Sequence, residues 1–232
     1  MSTYLITGAA EGLGRSLAMA LAYDNNQLIL LDKNLKGLNH LYDTIVDSDD
    51  YQAEPALFPM DLLGANIEHY GQLRTTLENE YGHLDGVFLN AATLPAFTPV
   101  EYFDYTQWYE VLHTNLNANF HLIQQTLPLL RAAHAGQLVA TLDGNLESNP
   151  AYYGAYGVAK AGLEQLMKTV ALENQKIPVR FYTAKLGAFQ SNTRSRQFPS
   201  ENPETIPTSQ TIAAELLKAL QDDSAADFLQ KL

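Results

Sequence analysis

The order of short apolar runs and longer helix-patterned segments limits this chain more than any other feature. "TYLIT" (Thr3–Thr7), "QLILLD" (Gln27–Asp32), "ALFPMD" (Ala56–Asp61), "LDGVFLN" (Leu84–Asn90), "QLVATL" (Gln137–Leu142) and "VRFYTA" (Val179–Ala184) are continuous apolar runs rather than alternating ones. That is the pattern of strands covered on both faces. Between them lie segments long enough for crossover helices, at about 13–24, 35–47, 64–81, 105–131 and 155–174. Strand and helix in alternation predict an α/β fold, a doubly wound parallel sheet with helices on both sides. One further helix is expected at about 209–221, followed by a polar tail, so the sheet is expected to have six strands. At 232 residues the whole chain, 1–232, is expected to form one domain. Residues 190–209 carry several prolines and many polar residues, and are expected to form a mobile loop beside a site.

Composition excludes several functions. With 26 acidic and 14 basic residues the formal charge is −12, which disfavours nucleic acid and anionic membrane as partners. There is no cysteine, hence no disulfide, thiolate nucleophile or Cys-type zinc site. The six histidines show no i, i+4 pair of the kind that binds a metal on a helix. No apolar run approaches the roughly 18 residues that span a bilayer. The N-terminal stretch has no signal-peptide pattern, so a cytoplasmic location is expected.

A glycine turn sits at the first strand–helix junction. "TGAAEGLG" spans Thr7–Gly14, with glycines at 8, 12 and 14. A chain that must turn sharply, admit a diphosphate to its backbone and pack a helix on the sheet needs glycine at such steps. The N–H groups of the helix start, around Glu11, Gly12 and Leu13, face an anion with a partial positive charge. The second strand ends at Asp32, eighteen residues after Gly14. A carboxylate there accepts hydrogen bonds from the ribose hydroxyls of NAD and repels the 2′-phosphate of NADP. Glu11 acts in the same direction and Lys33 in the opposite one, so the charge pattern favours NAD over NADP.

Tyr156 and Lys160 stand one helical turn apart, on one face of the helix expected at 155–174. An ammonium beside a phenol favours the phenolate. Such a tyrosine can give a proton to a carbonyl oxygen, or take one from an alcohol, as hydride moves at carbon. The spacing alone is weak evidence; its place after the fifth strand strengthens it.

The glycine turn, the strand-end aspartate, "NAA" after the fourth strand, an asparagine in the next long segment and Tyr–x–x–x–Lys stand together in the order and spacing of the short-chain dehydrogenase/reductase family. This sequence resembles that family over residues 3–190. "LDGVFLNAA", "TLPLLRAAHAGQLVAT" and "FPSENPETIPTSQTI" further resemble a poorly characterised bacterial subgroup of it. The resemblance implies a Rossmann-type fold, a nicotinamide cofactor and carbonyl/alcohol chemistry on a small molecule. It implies that Asp61 and Leu62 lie near the adenine, that Asn90 and Ala91 run along the cofactor, and that Asn115 holds a water in a proton relay. It gives Lys160 a second role on the nicotinamide ribose. It also implies a homodimer through the helices at about 105–131 and 155–174.

The sequence departs from the family at Asp143. Thirteen residues before the tyrosine the family has a serine that donates a hydrogen bond to the substrate oxygen, and a carboxylate only accepts. Four readings stay open: Asp143 is protonated and donates; it turns away while Thr141 or Asn145 donates; the substrate presents a donor of its own; or the chain is a catalytically weakened cofactor-binding or regulatory protein. Smaller departures are Ala92 where the family has glycine, and Leu186–Gly187 where it has Pro–Gly. Phe189 and Gln190 displace the hydroxyl residue to Ser191. Among the aromatics, Trp108 with Tyr102, Phe103, Tyr105 and Tyr109 is expected to pack in the core or an interface. Tyr152 and Tyr153 are candidates for the pocket wall, and Arg194 or Arg196 for contact with an acidic substrate.

Overall fold

The computed structural model describes residues 1–48, 54–148, 150–222 and 226–232. The apolar runs form strands β1 (Thr3–Thr7), β2 (Gln27–Asp32), β3 (Ala56–Pro59), β4 (Gly86–Leu89), β5 (Gly136–Asp143) and β6 (Val179–Leu186). The helices are α1 (Gly12–Tyr23), α2 (Leu35–Val46), α3 (Ile67–Tyr81), α4 (Tyr105–Leu112), α5 (Ala118–Ala132), α6 (Gly154–Glu173), α7 (Asn192–Gln197) and α8 (Ser209–Gln221). A last strand, β7 (Leu229–Lys231), completes a sheet of order β3-β2-β1-β4-β5-β6-β7.

Strands β1 to β6 are parallel, in the registers Leu5↔Ile29, Leu5↔Val87, Val87↔Leu138 and Leu138↔Phe181, with Leu30 opposite Leu57 at the β2–β3 edge. The strand faces divide between two cores. Leu5, Ile29, Val87 and Leu138 pack under α3, α5 and α6; Ile6, Leu30, Phe88 and Val139 pack under α1, α2 and α8. Covering both faces is what makes the strand sequences continuously apolar. The strand order reverses between β1 and β4, and a crevice opens there at the carboxyl ends of the strands.

The expectation of six strands is corrected to seven. β7 pairs antiparallel to β6, with Ala184 opposite Leu229. It escapes a sequence reading because it is three residues long and only Leu229 is buried. Residues 223–225 of the tail before it lie outside the described residues. The segment 190–209 is corrected too: it carries α7 and a 3-10 turn at Pro203–Thr205. The long segment 105–131 forms α4 and α5 joined by a π-helical turn, His113–Asn117. Such a widened turn often marks a functional site, and it holds Asn115.

Candidate active site

A cavity of about 730 Å³ occupies the crevice, lined at one end by Gly8 and Asp32 and at the other by Tyr156 and Arg194. The glycine turn forms its floor. Gly8 has φ +67°, and a Cβ there would lie 2.8 Å from the Ala91 Cα; a Cβ at Gly14 would lie 2.0 Å from the Gly8 carbonyl oxygen. Only glycine fits either place. Thr7 and Asn90 lock the turn: the Thr7 hydroxyl donates to the Phe88 carbonyl and accepts from the Asn90 and Ala91 N–H groups, and Asn90 Nδ2 donates to the Thr7 carbonyl at 3.1 Å.

The helix that follows is ready for an anion. The caps of α2, α3, α4, α7 and α8 each accept a hydrogen bond from their own first turn, whereas Glu11, the cap of α1, makes no such bond. The first N–H groups of α1 therefore face the cavity without a side-chain partner. Across from them Asp32 accepts from Ala10 N (3.0 Å) and Asn34 N (2.9 Å), one to each carboxylate oxygen. Those bonds fix the carboxylate and leave lone pairs on both oxygens. Glu11, Gly12, Leu13, Asp61, Leu62, Asn90, Ala91 and Gly187 also line the cavity, so this donor and acceptor set fits a dinucleotide along its length. Gly14 is packed behind the wall, as its contact with Gly8 requires.

The second group gathers at the other end, where β5 ends and α6 begins. Lys160 is buried, and its Nζ donates to the Thr141 carbonyl at 2.8 Å. The ammonium lies 5.9 Å from the centre of the Tyr156 ring. Burial lowers the Lys160 pKa to about 8, against an opposing pull from Asp143. Tyr156 is also buried; burial, then the charge of Asp143, then Tyr153 and a hydrogen bond to Asp143 push its pKa far up, so the phenol is neutral. Asp143 Oδ1 accepts from both Asn145 N (2.9 Å) and Asn145 Nδ2 (2.8 Å). Neither alternative donor is free of partners: Asn145 is turned to Asp143, and the Thr141 hydroxyl points to the Leu89 carbonyl at 3.4 Å.

Asn115 is fully buried behind the cavity wall. Its Oδ1 accepts from Thr93 N and its Nδ2 donates to the Thr93 carbonyl, both at 2.7 Å. The side chain thereby ties the π-helical turn to the loop after β4.

Helix α7 crosses the open side of the cavity. Asn192 donates to Glu11 (2.7 Å) and Gln197 to the Pro95 carbonyl (2.8 Å), which fastens the helix to both walls. Arg194 pairs with Glu201 through two contacts, at 2.7 and 2.6 Å, and lies 3.7 Å over the Phe198 ring. Tyr153 lines the wall and stacks on Phe97, with ring centres 4.8 Å apart, whereas Tyr152 is exposed and not part of it. Phe103 and Trp108 pack edge to face, and Tyr102, Tyr105 and Tyr109 are exposed. The roles of Thr93, Asn192 and Gln197 had no sequence signal, because each acts through a partner distant in the chain. Among the described residues no group of three or more potential ligands is placed to hold a metal ion, and no helix is long and apolar enough to cross a membrane.

Fold and site together define a dinucleotide-binding oxidoreductase. The family model described as short chain dehydrogenase matches residues 2–202, and the chain belongs to that family. It is 33% identical over 220 residues to the uncharacterised oxidoreductase YciK of Escherichia coli K12, covering 95% of this chain and 86% of that one. The solved structure of yciK from E. coli superposes with a TM-score of 0.90 at 33% identity, over 96% of this chain and 90% of that one. A short chain dehydrogenase from E. coli CFT073, complexed with NADPH, has a TM-score of 0.88 at 33% identity, over 93% and 89%.

Proposed function

We propose that this chain moves hydride between a nicotinamide cofactor and the carbon of a carbonyl or alcohol, with Tyr156 as the acid/base. When bound, the nicotinamide supplies the hydride or takes it up. The chain's own residues do the rest. The open N–H groups of α1 hold the diphosphate. Asp32 holds the adenosine ribose, Asp61 and Leu62 flank the adenine, and Asn90, Ala91 and Gly187 line the path between the two ends. Lys160 keeps a buried positive charge beside Tyr156 and reaches the nicotinamide ribose. Asn115 keeps the Thr93 loop and the π-helical turn together, and a water on its carbonyl is the proposed relay partner of Lys160.

The observation that carries this reading is the convergence of Tyr156, Lys160 and Asp143 at the end of the cavity that begins at the glycine turn. A Tyr156→Phe protein is expected to bind cofactor as the parent does and to lose at least 1,000-fold in turnover, near the upper part of what a general acid or base contributes. Unchanged turnover across a panel of ketones and secondary alcohols would remove Tyr156 from the mechanism.

NAD is the favoured cofactor. Asp32 places a negative charge where NADP carries its 2′-phosphate, and Glu11 adds another in the turn. The NADPH complex of the E. coli CFT073 relative weighs the other way, and Lys33 on the cavity rim is the cation that would serve that phosphate. The protein is proposed to pair with a second copy through α4–α5 and α6, whose outer faces expose Tyr105, Tyr109, Phe120, Val158 and Leu172.

A further inference from the structure

This inference rests on the dehydrogenase reading. We propose that Asp143 is the proton acceptor of the site: Tyr156 hands the proton of an alcohol substrate on to Asp143, which releases it into a second cavity behind the reaction centre.

The direction of the hydrogen bonds carries the argument. Asp143 receives two N–H groups from Asn145, at 2.9 and 2.8 Å, and hydrogen-bonds Tyr156. Two N–H donors on one oxygen orient the group as an ionised acceptor. The single hydrogen of the Tyr156 hydroxyl then points at the carboxylate. What Tyr156 offers the substrate is its oxygen lone pairs, and these match the O–H of an alcohol rather than the oxygen of a ketone. The neighbouring groups leave this arrangement alone: Lys160 Nζ donates to the Thr141 carbonyl, and the Asn115 carboxamide is bound at both ends to Thr93. Burial disfavours a standing phenolate on Tyr156, so a proton arriving there displaces the one already present.

The step balances. The alcohol O–H proton passes to the Tyr156 oxygen while the Tyr156 proton passes to Asp143, and the C–H electron pair leaves as hydride with the nicotinamide. Ketone, reduced cofactor and neutral Asp143 result. A second cavity of about 370 Å³ then takes the proton. Asp143 and Lys160 line it from one side and Glu147, Glu164 and Lys185 from the other. Lys185 pairs with Glu147 at 3.1 Å and with Glu164 at 3.4 Å, and Glu147 is two-thirds exposed, so this cavity reaches water. The charged and titratable groups that face Asp143 are thus Tyr156 and Lys160 on α6, Tyr153 before it, Arg194 on α7, and these three groups of the second cavity.

The test has two readouts on the full chain. The first needs neither cofactor nor substrate: ¹³Cζ-tyrosine NMR, with the Tyr156 resonance identified by its loss in Tyr156→Phe. In the parent that resonance is expected downfield, as for a phenol donating to a carboxylate, and in Asp143→Asn and Asp143→Ala it moves upfield. The same shift in all three proteins overturns the pairing. The second is oxidation of 2-propanol, 2-butanol and cyclohexanol with NAD⁺. Asp143→Ala is expected to lose at least 100-fold in kcat and to regain a tenfold or greater part of it when formate is added; Asp143→Asn loses as much and is not rescued. Parent-like oxidation by Asp143→Asn, or no formate rescue of Asp143→Ala, overturns the proposal. A parent that oxidises none of these alcohols and reduces none of their ketones strikes the dehydrogenase reading instead, and the NMR shift still decides the Asp143–Tyr156 pairing.

Discussion

Tyr156 and Lys160 were legible because their relation is local: four residues on one helix fix both side chains on one face. The departure at Asp143 was equally visible, but its consequence was not. Which group a carboxylate binds depends on the turn after β5, and only the structure shows Asn145 wrapped back onto it. The expectation that Lys160 moves Tyr156 toward the phenolate is reversed here, because burial and Asp143 act more strongly on the phenol. Lys160 carries a measurable consequence. Its pKa of about 8 in the folded chain lies below the model value of 10.5. Between those values the unfolded chain binds the extra proton, so the Lys160 contribution to stability rises with pH through that window and is lost as pH falls through 8. From pH 7 to pH 9 the parent should gain about 1–2 kcal/mol from this group. Urea titrations should show that gain in the parent and its absence in Lys160→Met; parallel pH dependence in the two would mean that Lys160 is not held near 8. Both pH values lie below the range where tyrosine ionises in the unfolded chain, so Tyr156 does not enter the comparison.

At the scale of elements, the six parallel strands followed from continuous apolar runs, since burial on both faces leaves that pattern in any sequence. β7 and α7 did not, and for different reasons. β7 is an edge strand held by three antiparallel pairs and one buried leucine, too little for periodicity to register. Leu229→Ala is expected to cost about 2–3 kcal/mol by the large-to-small rule for buried leucine; a loss under 1 kcal/mol would mean that the strand does not anchor the end of the sheet. Helix α7 is six residues long, and its position rests on side-chain tethers to residues about 100 and 180 positions away. Asn192→Ala combined with Gln197→Ala should release it. The expected outcome is a several-fold rise in substrate KM with kcat changed less, measured with whichever alcohol the parent oxidises best.

At the scale of the whole molecule, the order of the strands places the cavity. The reversal between β1 and β4 brings the glycine turn, Asp32, Asn90 and the end of β5 to one edge of the sheet, and α6 delivers Tyr156 and Lys160 to the same edge. Sequence order alone gave this much, since parallel strands joined by helices all end on one side. The outer faces of α4–α5 and α6 are a different matter: their exposed aromatics leave a trace in the sequence but do not name what covers them. If they pair two copies, Val158→Asp with Leu172→Asp should give a monomer by sedimentation where the parent is a dimer, and an unchanged sedimentation coefficient would place the contact elsewhere. The central claim is that the crevice holds a nicotinamide dinucleotide from the glycine turn to Tyr156. The measurement that tests it most directly is a fluorescence titration with NADH and NADPH, with ADP-ribose as the control. The account predicts saturable NADH binding with a shifted nicotinamide emission, tighter than NADPH by tenfold or more. No NADH binding, or binding that ADP-ribose matches with no shift in emission, would contradict it.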